Sequence, residues 1–189
     1  MQEPFSIITI LLKAIFVGFG FTVPVISLIK TSNLKAVEFK QLFVLTAVQT
    51  LRVAGILFFL ITALYAYSQY SHMSGLGGND ISLSFPANYW LIMFYSPLLY
   101  LLISQLFWIK KLYHRKPALI VMSLLLLILP SQFLALYVMN QDNEFRAAFQ
   151  GIKLNWINLG TEFVLNQIVF IFIVVTIILT TGKFKTKKT

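Results

Sequence analysis

Few side chains in this sequence have the chemistry that catalysis or metal binding requires. The 189 residues include six acids, two histidines and no cysteine, which excludes disulfides, thiolate metal sites and cysteine nucleophiles. His72 and His114 lie on either side of a long apolar run, so they are not expected to share a metal or a haem iron. No two carboxylates fall within one apolar run, which leaves an acid–base pair unsupported. The sequence therefore predicts a protein that is not an enzyme and binds no cofactor covalently.

Other polar side chains interrupt the apolar runs and are the candidates for an intramembrane site. A polar group in lipid is costly unless it is paired or faces water. Arg52 is interfacial if its helix begins near residue 36; otherwise it is buried and needs a partner, such as Gln49 or Gln105. Lys13 either extends its stem to the outer surface or forms a buried site. The six candidate positions are Lys13, Gln49, Arg52, Gln105, Ser131 and Gln132.

The elements that must position these side chains are apolar runs of membrane-spanning length. Hydrophobic residues make up 58% of the chain and charged residues only 11%, too little polar surface to coat a soluble domain. Runs of about 20 apolar residues, the length that spans a bilayer, occupy residues 5-29, 43-68, 88-109, 117-139 and 162-181. No alternating strand pattern is present. We therefore predict a single-domain, all-α integral membrane protein, with four antiparallel transmembrane helices in a bundle and a fifth beside it.

The distribution of basic residues predicts the orientation of the bundle. Lysines and arginines are enriched in cytoplasmic connections. Here they concentrate after the first run, between the third and fourth, and in the tail, which predicts an external N-terminus and a cytoplasmic C-terminus. Because these charges lie in short loops, we expect them to attract anionic lipid or partner subunits rather than nucleic acid. The expected docking residues are Lys110, Lys111, Arg115, Lys116, Lys183, Lys185, Lys187 and Lys188.

One part of the sequence resembles a known family of membrane anchors. The stretch NYWLIMFYSPLLYLLISQLFWIKK, followed by RKPALIVMSLLLLI, is similar to a helix pair of NrfD or polysulfide-reductase anchors of the bacterial alternative complex III type. The chain departs from the family in being about half as long, and it has Ser131 and Gln132 where a Glu-Arg pair is expected. The shared residues are Tyr89, Trp90, Gln105, Leu106, Phe107, Trp108, Lys110, Lys111 and Ser123.

Two classes of function are consistent with these observations. The resemblance implies a subunit of a respiratory, electron-transport complex in the bacterial inner membrane, packed against other subunits and bordering a quinone pocket. The alternative is a small homo-oligomeric membrane protein that acts as a sensor, an immunity factor or a gate in a bacterial defence or bacteriocin system. The partners differ accordingly: other membrane or soluble subunits in the first class, and copies of the same chain in the second.

Overall fold

The structure is a computed structural model that describes residues 3–30, 32–76, 87–128 and 156–181. The described part of the chain is helical and contains no strand, as the sequence predicts. Short turns join the helices where the connections are described. The helices are α1 (Glu3–Leu28), α2 (Leu34–Leu76), α3 (Ala87–Leu106), α4 (Lys110–His114), α5 (Lys116–Ile128) and α6 (Trp156–Thr180).

Three helices in the described ranges are long and apolar enough to cross a membrane. The qualifying segments are Ile7–Leu28 of α1, Leu34–Ser68 of α2 and Gly160–Thr180 of α6. Shorter apolar helices cover Phe94–Leu106 and Lys116–Ile128. The predicted membrane-embedded helical fold is therefore confirmed in this form. Five spans remain a prediction, because residues 129–139 of the fourth expected span lie outside the described residues.

The core of the bundle forms around aromatic side chains of α1. Phe16 and Phe19 are fully buried. Phe16 stacks on Tyr100 of α3 with ring centroids 4.1 Å apart and meets Phe58 of α2 edge to face at 5.5 Å. Phe19 meets Phe107 edge to face at 5.3 Å. These contacts place α1 against both α2 and α3 and hold the three helices in one core.

Helix α2 begins nine residues earlier than the apolar run that predicts it. Asn33 caps its first turn, because its Oδ1 accepts a hydrogen bond from the Lys35 amide at 3.0 Å. The following turns contain Lys35, Glu38 and Lys40. These charged residues lower the mean hydropathy of the segment, but lysine and glutamate have high helix propensity. At 1.5 Å per residue, the segment Leu34–Ser68 is about 52 Å long, well beyond a hydrocarbon core of about 30 Å.

Helices α1 and α6 pack against each other in opposite directions. Phe163 of α6 lies against Phe21 with ring centroids 5.2 Å apart, whereas Phe170, seven residues later, lies against Gly18. A Cβ at Gly18 would come within 2.2 Å of the Phe170 Cβ, so the helices approach closely there. Moving forward along α6 therefore means moving backward along α1. This contact uses the small-residue face of α1 formed by Ala14, Gly18 and Thr22.

This packing differs from five alternating spans, in which the first and last helices would run parallel and the chain ends would lie on opposite faces. Because α1 and α6 are antiparallel, the end of α6 at Thr180 lies beside the start of α1. We call this side of the bundle the terminal end. The opposite side, where α1 ends at Leu28 and α5 begins at Lys116, is the hairpin end. The described end of α6 thus lies at the end of the bundle opposite Lys111 and Lys116. The tail lysines lie outside the described residues, and their sharing a face with the hairpin stays a prediction.

Candidate functional site

The most elaborate polar arrangement in the described residues surrounds Arg52 of α2. Its Nη2 donates a hydrogen bond to the carbonyl oxygen of Phe107, just beyond the end of α3. The guanidinium carbon lies 4.7 Å from the centre of the Trp108 ring and 5.5 Å from that of Tyr113. Arg52 thus connects α2 to the end of α3 and to α4. We call Arg52, Gln105, Phe107, Trp108 and Tyr113 the Arg52 cluster.

The position of this cluster follows from how α3 ends. The last carbonyls of a helix have no intrahelical partner, and a cation near them also interacts favourably with the helix dipole. Here the chain leaves α3 through turns in which the Trp108 amide bonds the Gln105 carbonyl at 3.0 Å. Gly55 allows the close approach, because a Cβ there would lie 1.9 Å from the Ser104 Oγ. Arg52, almost one turn earlier on α2, therefore reaches the free carbonyl of Phe107.

Gln105 provides a second connection between the same helices. Its Nε2 donates to the backbone carbonyl of Arg52 at 3.2 Å and approaches the Ser104 Oγ at 3.3 Å. Its Oε1 accepts a hydrogen bond from the Trp108 indole at 2.7 Å. Gln105, one of the expected partners of Arg52, therefore contacts the backbone of that residue, and it also orients the indole on which the guanidinium stacks.

The contacts of Arg52 are strong enough to hold a cation at this depth. Placing an arginine at the centre of a span costs about 2.5–3.5 kcal/mol on insertion scales. A hydrogen bond to a charged group contributes about 1.5–3 kcal/mol, and a cation–π contact about 0.5–2 kcal/mol. The insertion cost and the combined contribution of the hydrogen bond and the cation–π contacts are of similar size. The Nε of Arg52 is buried and has no hydrogen-bond partner in the described part of the chain, so the cation is held at one side of its guanidinium.

The remaining sequence-predicted positions lie apart from this cluster. Gln49, three residues before Arg52 on α2, is exposed. Lys13 is also exposed, on the outer surface of α1, where its stem is free to extend along the helix. Ser131 and Gln132 lie outside the described residues, as do Lys183, Lys185, Lys187 and Lys188.

Two polar contacts were not anticipated from the sequence. Gln167 of α6 accepts a hydrogen bond from the Thr22 Oγ1 at 2.6 Å and donates one to the Val17 carbonyl at 3.2 Å. Lys40 of α2 donates from Nζ to the carbonyls of Ser27 at 2.8 Å and Ile29 at 2.7 Å, at the end of α1. An amide in the middle of the last apolar run was the available signal for the first contact. The second depends on the early start of α2 at Leu34, close to the start near residue 36 that the sequence left open as an alternative.

Lys40 and Arg52 make the same kind of contact at different levels along α2. Each extends from α2 to carbonyls at the end of a neighbouring helix, Lys40 to α1 and Arg52 to α3. The two cations are 12 residues apart on α2, or about 18 Å along the axis. Helix α3 therefore ends well inside the level at which α1 ends. The segment 107–116 covers the distance between these two levels and carries the basic residues of the hairpin.

The described basic side chains of this hairpin point outward. Lys111, Arg115 and Lys116 are exposed. The fourth basic residue, Lys110, begins α4, and its side chain lies outside the description. Among the described residues, no group of three or more histidines, cysteines, aspartates or glutamates could hold a metal ion. The arrangement can bind anions at its surface, and its internal polar groups fix helices to one another.

Comparison with known proteins does not assign the chain to a family. No protein-family model matches the chain, and neither a curated protein nor a solved structure matches it.

Proposed function

We propose that this protein is a non-catalytic integral membrane subunit that docks a partner chain at its hairpin end. The observation that carries the proposal is the Arg52 cluster. It fixes the segment 107–116 against α2 by a hydrogen bond and two aromatic contacts, while Lys111, Arg115 and Lys116 remain exposed. A cationic surface on a fixed backbone loses less backbone conformational entropy when it binds an acidic partner than a flexible loop would. This supports a docking role for the hairpin.

The distribution of charge supports a cytoplasmic hairpin end. Lysines and arginines near short loops favour the cytoplasmic side, and seven of them lie at this end against four in the tail beyond Thr181. Both chain ends would then be external. The seven residues are Lys30, Lys35, Lys40, Lys110, Lys111, Arg115 and Lys116.

Membership of a respiratory assembly in the bacterial inner membrane, next to a quinone, is the specific form that the resemblance to NrfD-type anchors implies. In that form, the acidic partner is an electron-transfer subunit on the cytoplasmic side. The alternative of a homo-oligomeric sensor, immunity factor or gate requires no second kind of chain. The two forms differ in what accompanies the protein when it is extracted from the membrane.

The test is extraction in a mild detergent followed by identification of the chains that co-elute as the salt concentration rises. The variant Lys111→Gln/Arg115→Gln removes two exposed charges from the hairpin. Its control, Lys30→Gln/Lys35→Gln, removes two exposed charges at the same end, one just after α1 and one in the first turn of α2. We expect the hairpin variant to lose its partner at a lower salt concentration than the wild type, and the control variant to retain it.

The identity of the co-eluting material separates the alternatives. A haem or iron–sulfur subunit supports the respiratory form of the proposal. A symmetric oligomer of this chain alone, unaffected by the hairpin variant, contradicts the docking proposal and favours the sensor or gate.

Orientation is tested separately, and the absence of natural cysteines makes the experiment clean. Ser32 lies between α1 and α2 at the hairpin end, and Thr181 follows α6 at the terminal end; both are exposed. We expect a membrane-impermeant maleimide to label Thr181→Cys in intact cells and Ser32→Cys only after the membrane is opened. Labelling of both positions in intact cells contradicts a spanning bundle, and the reverse pattern contradicts the proposed orientation.

A further inference from the structure

A cavity of about 410 Å³ opens at the hairpin end, between the end of α1, the first turns of α2 and the corner between α4 and α5. This volume lies within the range of about 300–1,000 Å³ that is usual for small-molecule sites. Its lining, among the described residues, includes two cations and no acidic side chain. It is lined by Ser27, Lys40, Gln41, Val44, Leu45, Tyr113, Lys116 and Leu119.

Both cations that line this cavity are lysines, and one of them is fixed by hydrogen bonds. Lys40 is held in place by its two hydrogen bonds to the carbonyls of Ser27 and Ile29. An ammonium group has three donors, so one N–H remains for a further acceptor. Lys116 lines the same cavity from the start of α5. An anion placed between the two ammonium groups would relieve their mutual repulsion and accept hydrogen bonds from both.

The depth of the cavity matches the level of lipid headgroups. Ser27 lies in the last turn of α1, whose apolar segment Ile7–Leu28 is 22 residues long. At 1.5 Å per residue, this segment measures about 33 Å, close to the thickness of a hydrocarbon core. The cavity therefore lies at the end of the apolar segment of α1, the level at which a bilayer spanned by that segment would have its headgroups.

The lining also changes from charged to apolar in the direction of the membrane interior. Val44 and Leu45 follow Lys40 by about one turn of α2, toward the middle of the bundle. Leu119 follows Lys116 by about one turn of α5, in the same direction. The cations thus lie on the headgroup side and the aliphatic groups on the acyl-chain side. A phospholipid has this same order of anionic and apolar parts.

We propose that this cavity binds one anionic phospholipid, with its phosphate between Lys40 and Lys116 and the start of an acyl chain against Val44, Leu45 and Leu119. The inference goes beyond the docking function, because it requires no partner protein. It also differs from general attraction of a basic surface to the membrane, because it assigns the interaction to two of the basic residues at this end and leaves out the exposed Lys111 and Arg115.

The experiment uses the full chain, purified in detergent and stripped of lipid, then titrated with phosphatidylglycerol while native mass spectrometry counts bound lipids. We expect the first phosphatidylglycerol to bind more tightly than phosphatidylcholine. Lys116→Gln should weaken this first binding about fivefold, and Lys40→Gln/Lys116→Gln about 25-fold, since each basic residue near an anionic surface contributes about a fivefold effect. Lys111→Gln/Arg115→Gln removes the same number of charges and should change the first binding less than twofold.

Several results would overturn the site. Equal weakening by the two double variants would show that only general basicity matters. Equal affinity for phosphatidylcholine, or displacement of the lipid by millimolar inorganic phosphate, would exclude recognition of a phospholipid. Lys40 also caps α1, so the exposed Lys116 decides the result if the Lys40 variant fails to fold, and Lys116→Arg should retain binding. Loss of partner docking in Lys111→Gln/Arg115→Gln with lipid binding intact separates this inference from the proposed function.

Discussion

The α1–α6 contact and the α2–α3 contact share the same kinds of residue, with one exception. Each joins antiparallel helices at a glycine, Gly18 in the first and Gly55 in the second, and each has a glutamine that bonds a backbone carbonyl across the contact. Only the second contains an arginine. Helices α1 and α6 lie side by side over most of their lengths, so close packing and hydrogen bonds suffice. Helix α3 ends partway along α2, and the free carbonyl of Phe107 requires a donor.

This difference indicates what each contact does for the molecule. The α1–α6 contact fixes the architecture, and its described polar contacts join uncharged groups. The α2–α3 contact places a cation there in order to hold a chain segment that is turning out of a helix. We therefore expect the first contact to be sensitive to side-chain volume and the second to be sensitive to charge.

The largest effect is expected from added volume at Gly18. Because a Cβ at this position lies within 2.2 Å of the Phe170 Cβ, Gly18→Leu must separate α1 from α6. Overpacking of this kind costs about 3 kcal/mol. Gly160→Leu is the matched control on α6, since a Cβ there has no neighbour within 4 Å. Thermal unfolding in detergent should show a strongly lowered midpoint for Gly18→Leu alone; similar midpoints for the two variants would contradict the α1–α6 packing.

The next effect is expected from loss of charge at Arg52. Arg52→Leu leaves the Phe107 carbonyl without its donor and removes both aromatic contacts, which should lower the free energy of unfolding by about 1–3 kcal/mol. Lys13→Leu also removes one cation from a helix of the bundle, but Lys13 is exposed, and we expect no loss of stability. Denaturant unfolding of both variants measures the difference. If Arg52→Leu is as stable as Lys13→Leu, the contacts of Arg52 do not stabilise the fold.

The smallest effect is expected from the hydrogen bond between Thr22 and Gln167. Interhelical hydrogen bonds in membrane proteins contribute about 0.6 kcal/mol on average and at most about 1.7 kcal/mol. A double-mutant cycle with Thr22→Val and Gln167→Leu should give a coupling energy in this range. A coupling energy of zero would mean that the two side chains are adjacent without contributing to stability.

The helices themselves were largely predictable, because apolar runs of sufficient length are their direct cause. The runs at 5-29 and 162-181 correspond to Glu3–Leu28 and Trp156–Thr180. The helix predicted from the run at 43-68 is shorter than the observed α2, which continues through polar turns at both ends and covers Leu34–Leu76. Hydropathy measures the part of a helix that prefers lipid, and helix caps such as Asn33 determine where the helix begins.

The pairing of the helices could not be predicted from the same information. Alternating topology led to a parallel α1 and α6, but the fit of Phe170 against Gly18 and the bond from Thr22 to Gln167 require an antiparallel pair. The site was predictable in part: Arg52 and Gln105 stood out because polar groups in apolar runs are costly. Their actual partner, the Phe107 carbonyl, is a backbone group that becomes free only where α3 ends, so no side-chain pattern indicates it.

The measurement that tests the role of Arg52 most directly is hydrogen exchange of the backbone amides in the segment 107–116, recorded in lipid nanodiscs. The amides of Trp108 and Ile109 donate to carbonyls at the end of α3, and the amide of Leu112 donates to the Ile109 carbonyl, so these three amides report whether the segment is held in place. Arg52→Leu should exchange them at least about tenfold faster than the wild type, the equivalent of about 1.4 kcal/mol of lost local stability, and Lys13→Leu should leave them unchanged. Exchange in Arg52→Leu at the wild-type rate would contradict the account, because the basic hairpin would then be fixed without the arginine.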